Sequence, residues 1–237
     1  MQEPQKNKNE QETMIKPLLH LLTGLLLACF ILPAAKAQQQ KPAFWNEIQQ
    51  FKQQDSLQMP PKNGVLFVGS SSIRMWDSLQ QAFPKYTVIN RGFGGSTLLD
   101  MKRYLSDIVF PYHPKQIIIY SGENDIAADT VQAPEVLARF KDVYQAIRKE
   151  LPQVPMVFIS IKPSPSRKQY SAVVQEANNF IHAYIQQQPN IQFADVYPQM
   201  LGSNNKPLPD IFLQDSLHMN NNGYRIWTKV ITPYLIK

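Results

Sequence analysis

Val65-Leu66-Phe67-Val68-Gly69-Ser70-Ser71-Ser72 is the stretch that decides the fold. Its first four residues form the unbroken apolar run of a strand covered on both faces of its sheet. The glycine and serines that follow read as a turn at the strand's carboxyl end, where one hydroxyl can be held over the sheet edge. Similar punctuation recurs at Gly94-Gly95-Ser96 and at Gly122-Glu123-Asn124-Asp125, each after its own apolar run. Strands are expected at Gly64 to Val68, Tyr86 to Asn90, Gln116 to Tyr120, Pro155 to Ser160 and Ile191 to Ala194, all rich in Val, Ile, Phe or Tyr. Helices fit Thr97 to Val109, Ala133 to Glu150, Arg167 to Gln187 and Asn222 to Leu235, and apolar residues also take helical spacing from Phe44 to Phe51. The alternation implies an α/β protein, a three-layer α/β/α sandwich with a mostly parallel sheet, because parallel neighbours need crossover connections. Ligands of such sheets bind outside the carboxyl ends of the strands, so Ser71, Gly95 and Asn124 are expected along one edge.

A serine hydroxyl is a poor nucleophile until a base takes its proton, which directs attention to the four histidines. His20 lies in an apolar leader, His113 between Tyr112 and Pro114, and His182 in a helical stretch. His218 differs, because Asp215 stands three residues before it. In a turning segment that carboxylate can reach Nδ1–H, fix the tautomer and leave Nε2 for the serine. Ser70 and Ser72 are expected to satisfy backbone donors or to cap the following helix. Glu123 and Asp125 read as structural carboxylates. Trp76, Arg74, Arg91 and Phe93 lie near the expected site in sequence, as shaping residues or as packing.

The order and content of these blocks resemble the SGNH (GDSL-type) hydrolase family of esterases and acylhydrolases, from about Asn63 to the C-terminus. The resemblance places the family's serine, glycine, asparagine and histidine on Ser71, Gly95, Asn124 and His218, with Asp215 as third member of the triad. It implies a flavodoxin-like sheet of five parallel strands, and an oxyanion hole built from Ser71, Gly95 and Asn124. The family pattern has Asp where this chain has Ser70, a change that removes none of the implied catalytic groups. Neither a metal nor a cofactor is implied.

Three segments are expected. Residues 1–37 read as a secretory signal, with a possible true start at Met14, Lys16 before the apolar stretch and Ala35-Lys36-Ala37 as cleavage site. Residues 38–62 are a leader and N-terminal helix, and 63–237 the hydrolase domain. The apolar stretch is too short for a stable membrane span, which needs about 20 residues. An exported, periplasmic or extracellular protein follows, with lipid anchoring through Cys29 as the alternative. Cys29 is the single cysteine, so the mature chain would have no disulfide, thiol nucleophile or thiolate metal site. Net charge is +6 overall, and the basic residues are scattered among acidic ones with no aromatic platform, which argues against nucleic acid as a partner.

The expected substrate is a small-molecule ester or an acylated carbohydrate or lipid. Short connections with no apolar insertion favour a shallow site and short acyl groups, acetyl first. Lysophospholipase or thioesterase activity on the same residues remains open. So do a non-catalytic carbohydrate- or envelope-binding module and a metal-dependent hydrolase using Glu123, Asp125, Asp215 and His218. Too few histidines are available to favour the last.

Overall fold

The structure is a computed structural model and describes residues 41–127 and 131–237. The expected signal segment, Cys29 and the Gln38 to Gln40 leader lie outside the described residues. The elements run α1 (Trp45–Leu57), β1 (Val65–Gly69), α2 (Ser71–Arg74), α3 (Leu79–Ala82), β2 (Val88–Gly92), α4 (Leu98–Ile108) and β3 (Gln116–Tyr120). They continue with α5 (Glu123–Ala127), α6 (Ala133–Glu150), β4 (Met156–Ile159), α7 (Ser171–Ile185), β5 (Ile191–Ala194) and α8 (Asn221–Ile231). The five strands form one parallel sheet in the order β2-β1-β3-β4-β5. The chain therefore starts at β1, moves outward to β2, and crosses back to β3 on the other side. The junction between β1 and β3 is the switch point at which such sheets open a crevice.

Side chains alternate across the sheet, and each face has its own core. Leu66, Val68, Ile117, Ile119, Met156 and Phe158 point to one side, where α1, α4, α6 and α7 cover them. Val65, Phe67, Ile118, Tyr120, Val157 and Ile159 point to the other, under α2, α3 and α8. Burial on both faces explains why β1 and β3 read as apolar runs with no period of two. Each fully buried large apolar side chain contributes about 1.5–3 kcal/mol, so the sheet's inner residues dominate the stability of the layer that carries the site.

Several expected boundaries shift: β2 lies two residues later than expected, α1 runs on to Leu57, and two helix ends move at prolines. The helix expected from Arg167 begins as an α-helix only at Ser171, because Pro165 opens a 3₁₀ segment, Pro165–Tyr170, in which Arg167 leaves helical geometry at φ −117° and ψ 25°. The last helix gives way to a 3₁₀ turn at Thr232–Tyr234, where Pro233 lacks the N–H that would continue it. Helix α1 packs on the sheet-covering layer through Ile48, which joins the core of that face.

Candidate active site

The nucleophile candidate is placed by backbone packed against backbone. At the end of β1, Gly69 takes φ +151°, and a Cβ there would lie 2.0 Å from the Tyr120 carbonyl oxygen. Gly92, at the end of β2, would bring a Cβ to 2.4 Å from the Arg74 nitrogen. Only glycine lets the end of β1 lie this close to the end of β3, and lets α2 settle this closely on the end of β2. Asn90 secures the arrangement from β2, its Nδ2 donating to the Ile73 carbonyl at 2.8 Å while its Oδ1 accepts from Gly92 N–H at 2.9 Å.

Ser70 stands at the N-cap of α2, but its side chain makes no cap bond; its carbonyl accepts from Ile73 and Arg74 N–H instead. The Ser72 carbonyl accepts from Tyr224 Oη at 3.0 Å. Tyr224 also stacks on Trp76 with ring centroids 4.9 Å apart, so α8 and the turn carrying Ser71 share one aromatic cluster.

His218 is brought to Ser71 across 147 residues of chain, with Nε2 2.9 Å from Oγ. On the other side of the ring Nδ1 lies 2.6 Å from Asp215 Oδ2. A carboxylate only accepts, so Nδ1 carries the proton and the Nε2 lone pair faces the serine hydroxyl. The other oxygen, Asp215 Oδ1, accepts from the backbone N–H groups of Leu217 and His218, both at 2.9 Å. Ser216 makes this tight turn possible by taking φ +56°. Burial pushes the Asp215 carboxyl up, but the His218 bond and the two N–H groups outweigh it and bring its pKa down to about 2. The side chains of Asp215 and His218 are 47% and 21% exposed, which describes a shallow site.

Asn124 sits at the start of α5 with its amide orientation fixed by two one-way partners. Its Oδ1 accepts from Arg167 Nη2 at 3.0 Å, and its Nδ2 donates to the Ser96 carbonyl at 3.0 Å. Arg167 has only donors and a carbonyl only accepts, so the amide cannot be flipped. One of the two Nδ2 hydrogens remains for a ligand. Gly95 has φ +67°, and a Cβ there would meet nothing within 4 Å. Glycine is favoured here by the sign of φ, while the space beside it is open to a substrate. Among the described residues the N–H groups of Ser71 and Gly95 have no intramolecular acceptor.

Of the residues that support the site, sequence reasoning named Glu123 and Asp125 as structural carboxylates and missed Lys162, Arg167 and Glu47. Glu123 is buried and accepts from Lys162 Nζ at 2.9 Å, Ser164 Oγ at 3.0 Å and Tyr120 Oη at 2.8 Å. Burial pushes its carboxyl up, and the Lys162 and Arg167 cations reverse this, holding it below the usual range. Lys162 is fully buried and spends a second hydrogen on the Leu217 carbonyl, 2.8 Å away, beside the histidine. Asp125 faces elsewhere, taking Leu98 N–H at the start of α4 and Arg139 Nη1. From α1, Glu47 accepts from Gly94 N–H at 3.0 Å and pairs with Arg74. Lys162 and Glu47 have nothing in their sequence spacing to announce a role.

Of the residues near the site in sequence, Trp76 and Phe93 are core, Arg91 pairs with Asp55 and Tyr112, and Arg74 with Glu47. His113 lies at the amino edge of β3, and the His182 ring stacks on Phe193. Glu123 and Asp125 are occupied by separate partners. Among the described residues no three His, Cys, Asp or Glu side chains gather as a metal site, and no helix is long and apolar enough to cross a membrane.

Solved structures share this architecture. A proposed acylhydrolase of Bacteroides fragilis matches with TM-score 0.70 at 23% identity, covering 82% of this chain and 97% of its own. A GDSL-like lipase of Bacteroides thetaiotaomicron matches with TM-score 0.68 at 21% identity, covering 79% and 96%. A variant of Axe2, an acetyl-xylooligosaccharide esterase from Geobacillus Stearmophilus, matches with TM-score 0.59 at 14% identity, covering 75% and 97%. At these identities the likeness establishes the fold. No curated protein matches the chain. Residues 64–226, most of the chain and all of the blocks described above, match the model of the GDSL-like lipase/acylhydrolase family, and the chain belongs to that family.

Proposed function

We propose that the protein is a serine esterase that removes short acyl groups, acetyl first, from small esters or acylated carbohydrates. The observation that carries this reading is the continuous line Ser71 Oγ, His218 Nε2, His218 Nδ1, Asp215 Oδ2, with separations of 2.9 Å and 2.6 Å at its two hydrogen bonds. In the first step His218 Nε2 takes the Ser71 proton while Oγ bonds to the ester carbonyl carbon. Asp215 holds the ring and stabilises the imidazolium without taking its proton. The carbonyl oxygen becomes an oxyanion, received by Ser71 N–H, Gly95 N–H and the free Asn124 Nδ2 hydrogen. As the tetrahedral centre collapses, His218 returns the proton to the leaving alcohol. Water then repeats the sequence on the acyl-enzyme, releasing the acid and restoring Ser71.

The preference for short acyl groups rests on the exposure of the Asp215–His218 segment and on the hollows beside it. One hollow is lined by Glu123, Lys162, Arg167, Tyr170 and Tyr197, the other by Arg74, Met75, Leu213, Met219 and Tyr224. Neither includes Ser71 or His218 in its wall, which favours a small acyl group at the serine. The acetyl-xylooligosaccharide esterase among the structural relatives supports acetylated carbohydrate as the first class to try. Residues 1–37 are proposed as an export signal and 63–237 as the hydrolase domain, with action in the periplasm or outside the cell.

The test is covalent labelling by a fluorophosphonate together with hydrolysis of p-nitrophenyl esters from acetate to decanoate. Labelling at Ser71 and a rate falling with chain length are expected. Absence of label would leave only a binding role, and a rate rising toward decanoate would replace the short-acyl preference with a lipase or lysophospholipase one.

A further inference from the structure

We propose that Arg167 is a positioning residue for the oxyanion donor: its guanidinium fixes and polarises the Asn124 amide from a connection that is also tied to the base-bearing loop. The inference rests on the esterase reading and adds a residue to it.

Arg167 grips two consecutive residues of α5. Nη1 donates to the Glu123 carbonyl at 2.9 Å and Nη2 to Asn124 Oδ1 at 3.0 Å. A cation donating to an amide oxygen draws electron density from the amide nitrogen, so the remaining N–H becomes a stronger donor. The effect is aimed, because the other Nδ2 hydrogen is already spent on Ser96, next to Gly95. Arg167 therefore acts on an amide with one free hydrogen, located where oxyanion charge would build.

Its own placement is not left to a flexible side chain. Arg167 sits at the break in the 3₁₀ segment, in the sparsely occupied bridge-like backbone region often used by site residues. The same β4–α7 connection reaches the base loop twice, through Ser166 N–H to the Ser216 carbonyl at 3.1 Å and through Lys162 Nζ to the Leu217 carbonyl. Lys162 in turn is anchored on Glu123, the residue before Asn124. One stretch, Lys162 to Arg167, thus sets the donor and the base relative to each other.

The test is a double-mutant cycle with p-nitrophenyl acetate: Arg167→Met and Arg167→Lys, each in the wild type and in Asn124→Ala. Loss of a charged hydrogen bond predicts that Arg167→Met lowers kcat by about 10- to 100-fold with KM changed less than about twofold, and that Arg167→Lys recovers part of the loss. In the Asn124→Ala background the same substitution is expected to cost less than about threefold, because the group it acts through is gone. An equal loss in both backgrounds, or a change in KM with kcat intact, overturns the inference. If Arg167→Met does not fold, the Arg167→Lys cycle is decided by the same criterion. Fluorophosphonate labelling separates the two levels: a labelled Ser71 and a slow Asn124→Ala with additive Arg167 effects refutes only Arg167, whereas an unlabelled wild type refutes the esterase reading and this inference with it.

Discussion

Two carboxylates stand beside the proposed reacting groups and are held in opposite ways. Glu123 is buried, with three side-chain donors, and fixes backbone: the start of α5 and, through Lys162, the loop ahead of His218. Asp215 is half exposed and fixes one ring and the two N–H groups of its own turn. A buried ion pair loses several kcal/mol when one partner is removed, because the other is left charged without water. An exposed one loses little stability and can lose much chemistry. On the proposed function the site is thus divided into a half that holds shape and a half that would move protons, and substitutions should separate stability from turnover accordingly.

The largest effect is expected in the proton-moving half. Ser71→Ala and His218→Ala should each lower kcat by about 10⁵- to 10⁶-fold, since triad members act as a unit, with the thermal midpoint shifted by only a few degrees. Steady-state kinetics with a calorimetric scan checks both; substantial turnover in either variant breaks the division at its strongest point. Asp215→Asn should cost about 10²- to 10⁴-fold in kcat by presenting the wrong tautomer, again with little change in folding.

The shape-holding half should behave conversely. Glu123→Gln leaves the Lys162 ammonium buried without a counter-charge, and urea unfolding should show a loss of about 3–5 kcal/mol. Its turnover per folded molecule should fall far less than in Asp215→Asn. Asn124→Ala straddles the boundary, with about 10²- to 10³-fold lost from kcat if its free N–H serves the oxyanion.

The smallest effect concerns acid. The folded-state pKa of Asp215, about 2, lies below the ordinary carboxylate value, so its bond to His218 adds stability above about pH 4. That contribution should fade as pH falls toward 2. Denaturation of wild type and Asp215→Asn at stepped pH should therefore converge over this window; a gap that persists at pH 2 assigns the difference to packing.

The same division decides what could be read in the chain. Gln116–Tyr120, Ile191–Ala194 and Ala133–Glu150 match their expected bounds because strand-forming residues between turn residues and regular helical spacing are local signals. Ser71, Asn124 and His218 could be singled out as candidates from turn chemistry after strands, from Asp215 three residues ahead of the histidine and from the family resemblance, which chose Ser71 among three serines; the structure sets Ser71 beside His218. Lys162 and Arg167 were not, since a lysine or arginine in a proline-rich connection reads as a solvated surface until the fold closes over it. Glu47 acts on Gly94 from a helix 47 residues earlier, a distance no local pattern spans.

The Asp215–His218 turn sets its internal geometry locally, while Lys162 and Ser166 anchor it to the β4–α7 connection. Four consecutive residues fix the carboxylate, the backbone path and the direction of the ring, with Leu213 closing the segment by accepting from Ser216 N–H and donating to the His218 carbonyl. Grafting one short loop would therefore transfer the proposed base and its orienting carboxylate together, provided the host supplies donors in place of Lys162 Nζ and Ser166 N–H, whereas the proposed oxyanion donors depend on strand ends that must be assembled as a sheet.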